Sequence, residues 1–100
     1  MKLFISQPMN GKTDKEILYT REKAIESACK NFDEEKVEVL DSFFQGAPHE
    51  AKPLWFIGES LKVMADADVV YFAPGWEDAR GCKIEYQAAL AYGLNIILGN

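Results

Sequence analysis

Glu85 is the residue on which chemistry rests most naturally in this sequence. It closes the run Trp76-Glu77-Asp78-Ala79-Arg80-Gly81-Cys82-Lys83-Ile84-Glu85, where an irregular segment passes into an Ala-rich helix. That places it in the first turn or so of the helix, where the positive end of the dipole favours an ionised carboxylate. A permanently ionised carboxylate that faces a ligand acts as a nucleophile or stabilises a cation. Helices in general favour Glu near their N-termini, so the same placement also serves an ordinary helix start. Around it, Asp78 offers a second carboxylate, and Arg80 offers a cation for an anionic ligand or for Glu77. Trp76 either stacks on a planar ring or caps the core.

A second set of polar residues follows the first apolar run. Ser6-x-x-x-x-Gly11-Lys12-Thr13 matches the phosphate-binding P-loop pattern, except that serine stands for its first glycine. Pro8 removes an amide that such a cradle needs, which argues against nucleotide hydrolysis of that type. The weaker expectation is that Ser6, Gln7, Asn10 and Gly11 contact a ligand at a helix N-terminus. The alternative is a tight turn that merely needs Asn and Gly. His49 stands alone in a polar loop. Cys82 opens a helix, where a thiol pKa can fall, but no His or Asp partner points to a cysteine nucleophile. No His, Cys or Asp cluster has metal-ligand spacing, and no metal or cofactor is expected.

The elements that must position these residues alternate. Leu3-Phe4-Ile5 reads as a buried strand. Thr13 and Glu16 form a T-x-x-E capping box at the head of a helix from about Asp14 to Phe32. Its inward face is expected from Ile17, Arg21, Ala24, Ile25, Ala28, Cys29 and Phe32. Val37 and Val39 suggest a second strand that ends at Asp41, followed by a loop from Ser42 to Lys52. Pro53 suits the first position of a second helix, with Leu54, Ile57, Leu61, Met64 and Ala65 at helical spacing. Val69 to Ala73 is a buried strand, and Pro74 to Gly81 an irregular loop. Cys82 to Tyr92 is a third helix with Ile84, Ala88 and Ala91 on one stripe, terminated by Gly93. Asn95 to Leu98 is the last strand.

The sum, β-α-β-α-β-α-β over residues 1–100, implies one α/β domain with about four parallel strands, right-handed crossovers and helices on both faces. In such sheets the ligand sits beyond the strands' C-terminal ends, near the switch in strand order. Ser6 to Gly11, Asp41 to Phe44 and Pro74 to Gly81 lie at that edge, whereas Asp66 and Asp68 lie at the opposite one.

Bulk properties bound the function. Sixteen acidic and eleven basic residues give a formal charge of −5, which repels phosphate backbones and argues against extended nucleic-acid binding. Cys29 and Cys82 lie far apart and read as free thiols of a reducing compartment. The N-terminal run lacks the flanks of a signal peptide, and no apolar run approaches the roughly 20 residues of a membrane span. A cytoplasmic location without membrane contact is expected.

Two stretches carry a family likeness: Phe4-Ile5-Ser6-Gln7-Pro8-Met9-Asn10-Gly11-Lys12-Thr13, and Ala67 to Trp76 running on to Ala79-Arg80-Gly81-Cys82-Lys83-Ile84-Glu85. The chain resembles the nucleoside 2-deoxyribosyltransferase-like proteins, most closely their short branch, often carried by phages or prophages. The likeness covers nearly the whole chain, and toward the characterised enzymes it rests mainly on the Gly81-to-Glu85 step and the topology. It implies a flavodoxin-like sheet and chemistry at an N-glycosidic bond. Glu85 would attack the anomeric carbon of a nucleoside or its 5′-monophosphate and expel the base, in the retaining manner. Ser6, Gln7, Met9, Asn10 and Gly11 would line the sugar and the base or its phosphate, with Asp41, Trp76, Arg80 and Gly81 at the same edge. A neighbouring subunit would complete the site, so a homo-oligomer is implied.

The departures from those enzymes are specific. Ser60 stands where they carry a substrate-facing acid on the second helix, and would line the substrate there in its place. Ala79 stands where they carry a polar or acidic residue, with Asp78 adjacent, and a fifth strand of the longer members has no counterpart in these residues. Loss of a proton donor typically removes 10²- to 10⁴-fold of rate. The expectation is therefore an N-glycoside hydrolase or transferase, with a nucleotide-binding protein of little or no activity as the alternative.

Overall fold

The computed structural model describes residues 1–8, 11–33, 36–40, 50 and 52–99. Met9, Asn10, Asp41, Phe43, Phe44 and His49 lie outside the described residues. The elements run β1 (Lys2–Ser6), α1 (Asp14–Phe32), β2 (Glu38–Val39), α2 (Pro53–Met64), β3 (Val69–Phe72), a 3₁₀ turn (Trp76–Asp78), α3 (Arg80–Ala91) and β4 (Asn95–Leu98). All strand pairings are parallel, in the order β2-β1-β3-β4. The fold is a three-layer, flavodoxin-like α/β sandwich.

The layering follows from strand alternation, because successive side chains leave a strand on opposite faces. Leu3, Ile5, Val69, Tyr71 and Ala73 form one core cluster with Ala24 and Ala28 of α1. Phe4, Val70 and Phe72 form the other, with Met64 of α2 and Ala89 of α3. Both faces of β1 and β3 are therefore covered, which explains why these strands read as continuous apolar runs rather than alternating ones. α1 buries only alanines fully, and such small side chains let its axis approach the sheet closely. Arg21, expected on the inward stripe, is exposed; its guanidinium stays in water at the margin of the contact.

Local signals set the element ends. Glu16 N–H donates to Thr13 Oγ at 3.1 Å, so Thr13 caps α1. Pro53 occupies the first turn of α2, where its missing N–H costs nothing. At the end of α3, Gly93 (φ 71°) donates to Leu90 O and Leu94 to Ala89 O, a Schellman closure. Asp68, at the strands' N-terminal edge, accepts from Lys2 N–H at 2.7 Å, which accounts for it structurally.

Candidate active site

The chain leaves β1 toward the face carrying α1 and leaves β3 toward the face carrying α2 and α3. The chain direction therefore switches between β1 and β3, and the edge beyond their C-terminal ends is where the ligand crevice of open α/β sheets lies. Ser6 is the last residue of the β1 ladder, paired with Phe72, and its carbonyl accepts from Ala73 N–H at 2.9 Å. By alternation its side chain follows Phe4 onto the α3 face. The other wall turns at Gly75 (φ 91°), where a Cβ would lie 3.7 Å from Pro8 Cγ. The loops after β1 and β3 thus meet above the crevice.

Within the crevice the Ser6 hydroxyl donates to Glu85 Oε1 at 2.7 Å, a buried contact between residues 79 positions apart. Ser6 is 2% and Glu85 6% exposed, the two buried polar residues of the described core. Burial raises the pKa of Glu85 above its ordinary value, while the hydroxyls of Ser6 and Ser60 act in the opposite sense. Cys82, one turn earlier on the same helix face, has its thiol pKa raised by burial and by the Glu85 charge, with Ser6 opposing. Ser6, Cys82 and Glu85 thus form one buried polar cluster drawn from β1 and α3, with the half-buried Ser60 of α2 at its margin.

This corrects two expectations. α3 begins at Arg80, so Glu85 is its sixth residue and sits in the second turn, beyond the reach of the dipole's strongest effect. It does not stand at the helix start, and burial makes its carboxyl more basic instead of the dipole making it more acidic. The inward stripe of α3 is also rotated from the apolar one expected. Cys82, Glu85 and Ala89 are buried, while Ile84 is 39% exposed and Ala91 exposed. At Cys82 burial raises the thiol pKa, which outweighs the fall that a helix start can bring.

The remaining predicted residues divide. Gln7 and Pro8 line a cleft of about 410 Å³ with Ala73, Pro74 and the first turns of α1, on the sheet face opposite Glu85. Trp76 stacks at 4.4 Å on Tyr86 and at 5.5 Å on Phe72; it caps the α3-side core and remains half-exposed. Asp78 and Arg80 are exposed, and among the described residues Arg80 makes no ion pair with Glu77. Gly11 is exposed with φ 75°. Gly81 faces α2, where a Cβ would lie 2.8 Å from Ile57 Cδ1; it is a packing residue between helices. Lys12 lies 3.9 Å from Glu16, a surface pair away from any phosphate cradle. The role of Ser60 beside Glu85 has no signal in hydrophobic spacing, and the cluster emerges only when three separate elements converge.

Among the described residues no group of three His, Cys, Asp or Glu is arranged to hold a metal, and Cys29 and Cys82 are free thiols. No helix of the described residues is long and apolar enough to cross a membrane. The fold and this cluster define a class: a flavodoxin-like α/β protein with a buried carboxylate at the switch point of its parallel sheet. The chain belongs to the family described as Domain of unknown function (DUF4406), whose profile matches residues 1–98. No curated protein and no solved structure matches it.

Proposed function

We propose that the protein cleaves or transfers at the N-glycosidic bond of a nucleoside or nucleoside 5′-monophosphate, with Glu85 as nucleophile. The observation that carries this reading is the Ser6-to-Glu85 hydrogen bond, a buried carboxylate aimed by a strand-end hydroxyl in the switch-point crevice. Catalysis would use desolvation: a carboxylate with little water to shed is a stronger nucleophile once ionised. One Glu85 oxygen bonds to C1′ as the C1′–N bond breaks, and the electron pair leaves with the base nitrogen, which takes a proton. Water or a second base nitrogen then attacks C1′ and restores the carboxylate.

Asp78, on the 3₁₀ turn ahead of α3, is the group proposed to orient or protonate the leaving base. Trp76 and Arg80 belong to the binding wall, whereas Gln7, which lines the cleft on the other face of the sheet, stands apart from it. The same reading carries a homo-oligomer, a cytoplasmic location and small-molecule partners rather than extended nucleic acid. One observation favours a second reading, retention of a nucleotide ligand without turnover. Asp78 is exposed, and among the described residues no carboxylate other than Glu85 joins the buried cluster.

A chromatographic panel of nucleosides, 2′-deoxynucleosides and their 5′-monophosphates separates the two. Release of free base from one class supports the enzyme. Thermal stabilisation by a ligand that is recovered unchanged supports the binding protein.

A further inference from the structure

We infer that Ser6 and Ser60 are positioning residues, a hydroxyl clamp that sets the direction of the Glu85 carboxylate and acts through it rather than on a ligand. The catalytic consequence rests on the N-glycosidic reading; the clamp itself does not.

Ser6 is too deeply placed to be a ligand contact. It is 2% exposed, and its hydroxyl is taken up by the 2.7 Å donation to Glu85 and by the neighbouring Cys82 thiol. The backbone at Ser6 is held in the β1–β3 ladder and by the Ala73 amide, so the hydroxyl has little freedom to retarget. A serine here interrupts an apolar face on which Phe4 and Phe72 are fully enclosed, and a buried hydroxyl is retained at such a point only if it is bonded.

Ser60 approaches from α2. It shares a helix face with Ile57, three residues earlier, and Ile57 is the residue that the bare Cα of Gly81 admits. Glycine at position 81 therefore lets α2 come close enough to α3 for Ser60 to bear on Glu85. This gives Gly81 a part in the clamp, in place of the ligand contact the sequence suggested. A carboxylate held by the 2.7 Å Ser6 bond, with the Ser60 hydroxyl acting on it from a second element, is restricted about its last bond, which is the pre-organisation a nucleophile needs.

Among the described residues, the charged and titratable groups around Glu85 leave the two hydroxyls as the polar partners that oppose the effect of burial. Cys82 faces it from its own helix. On α2, Glu59 and Lys62 pair with each other at 3.1 Å. On the 3₁₀ turn and the start of α3, Glu77, Asp78, Arg80 and Lys83 are exposed. Tyr71 belongs to the core cluster on the other face of the sheet, and β4 carries no ionisable side chain.

The test is a ¹³C-carboxyl NMR titration of Glu85, assigned with Glu85→Gln, in the native protein and in Ser6→Ala, Ser6→Cys and Ser60→Ala. Ser27→Ala on α1 is the control. The clamp predicts that the Glu85 midpoint moves upward in all three clamp variants and stays in place in the control. Ser6→Cys, kept reduced because Cys82 lies beside it, leaves no cavity but is a poor donor, so an upward shift shared with Ser6→Ala comes from the lost hydrogen bond and not from the cavity. Ser60→Ala carries the test alone if Ser6→Ala does not fold.

Where base release is measurable, kcat falls roughly tenfold or more in Ser6→Ala, with KM changed by less than about twofold. An unmoved Glu85 midpoint in the folded clamp variants overturns the inference, as does a raised KM at unchanged kcat. If the native protein releases no base, the titration still decides the clamp, and only the N-glycosidic reading falls.

Discussion

Glu85 combines two properties that pull against each other: it is enclosed by the core, yet it must ionise to act. Its raised pKa sets a sign for stability. A carboxyl whose folded pKa lies above its unfolded value binds protons more tightly in the native state. That contribution is fully present below the unfolded pKa, near the ordinary 4.5, and is lost as pH rises through the folded value. Glu85→Gln removes the ionisation, so its melting temperature should exceed that of the native protein at neutral pH. The difference should shrink toward zero as pH falls below 4.5; calorimetry across that range checks it, and a neutral-pH loss of stability would contradict it. The same shift places the acidic limb of any base-releasing activity above the ordinary Glu value, readable from a kcat/KM profile. Losing one hydroxyl leaves an ionised buried group short of a donor, so Ser6→Ala should cost about 1–3 kcal/mol at neutral pH by denaturant unfolding.

At the scale of elements, α2 and α3 are spaced by a single missing Cβ. Gly81→Ala gains about 1 kcal/mol of helix propensity but meets the flexible end of Ile57, so its net effect on unfolding should stay under about 1 kcal/mol. Gly81→Val has no such escape and should destabilise by about 1–3 kcal/mol, while also weakening the Ser60 contact. Phe72 is fully buried and meets both Trp76 and Tyr86 edge-on or tilted. Phe72→Ala should cost about 3–5 kcal/mol by denaturant unfolding. The bounds of α1 and β4 were legible because capping and hydrophobic period agree there: Thr13 and Glu16 mark one end and Gly93 leads into the last strand. The inward face of α3 was not legible, because its buried stripe contains a carboxylate. Hydrophobic spacing selected Ile84 and Ala91 instead, and only the approach of Ser6 from β1 makes the interior position of Glu85 tolerable. Ser60 was read as the absence of an acid; its contribution depends on α2 lying against α3, a long-range fact with no local signal.

For the molecule as a whole, strand order and chain direction do the placing. β1 and β3 lie side by side at the centre while their loops leave to opposite faces, so Glu85 and the cleft at Gln7 and Pro8 fall on opposite sides of one edge. The net charge of −5 acts over this whole surface. A short labelled DNA duplex should therefore show no anisotropy change at low salt, whereas salt-dependent binding would contradict a small-molecule role. The likeness in the first loop and in the Gly81-to-Glu85 step led to the reaction class. The geometry supplies what that likeness lacked, a reason for serine at positions 6 and 60. The most direct test of the central claim compares free-base release by native protein and by Glu85→Gln on the substrate the panel selects, with ligand binding followed by thermal shift. Release by the native protein alone, with binding kept in the variant, is the result predicted. Equal release by Glu85→Gln would contradict the assignment of Glu85 as the nucleophile.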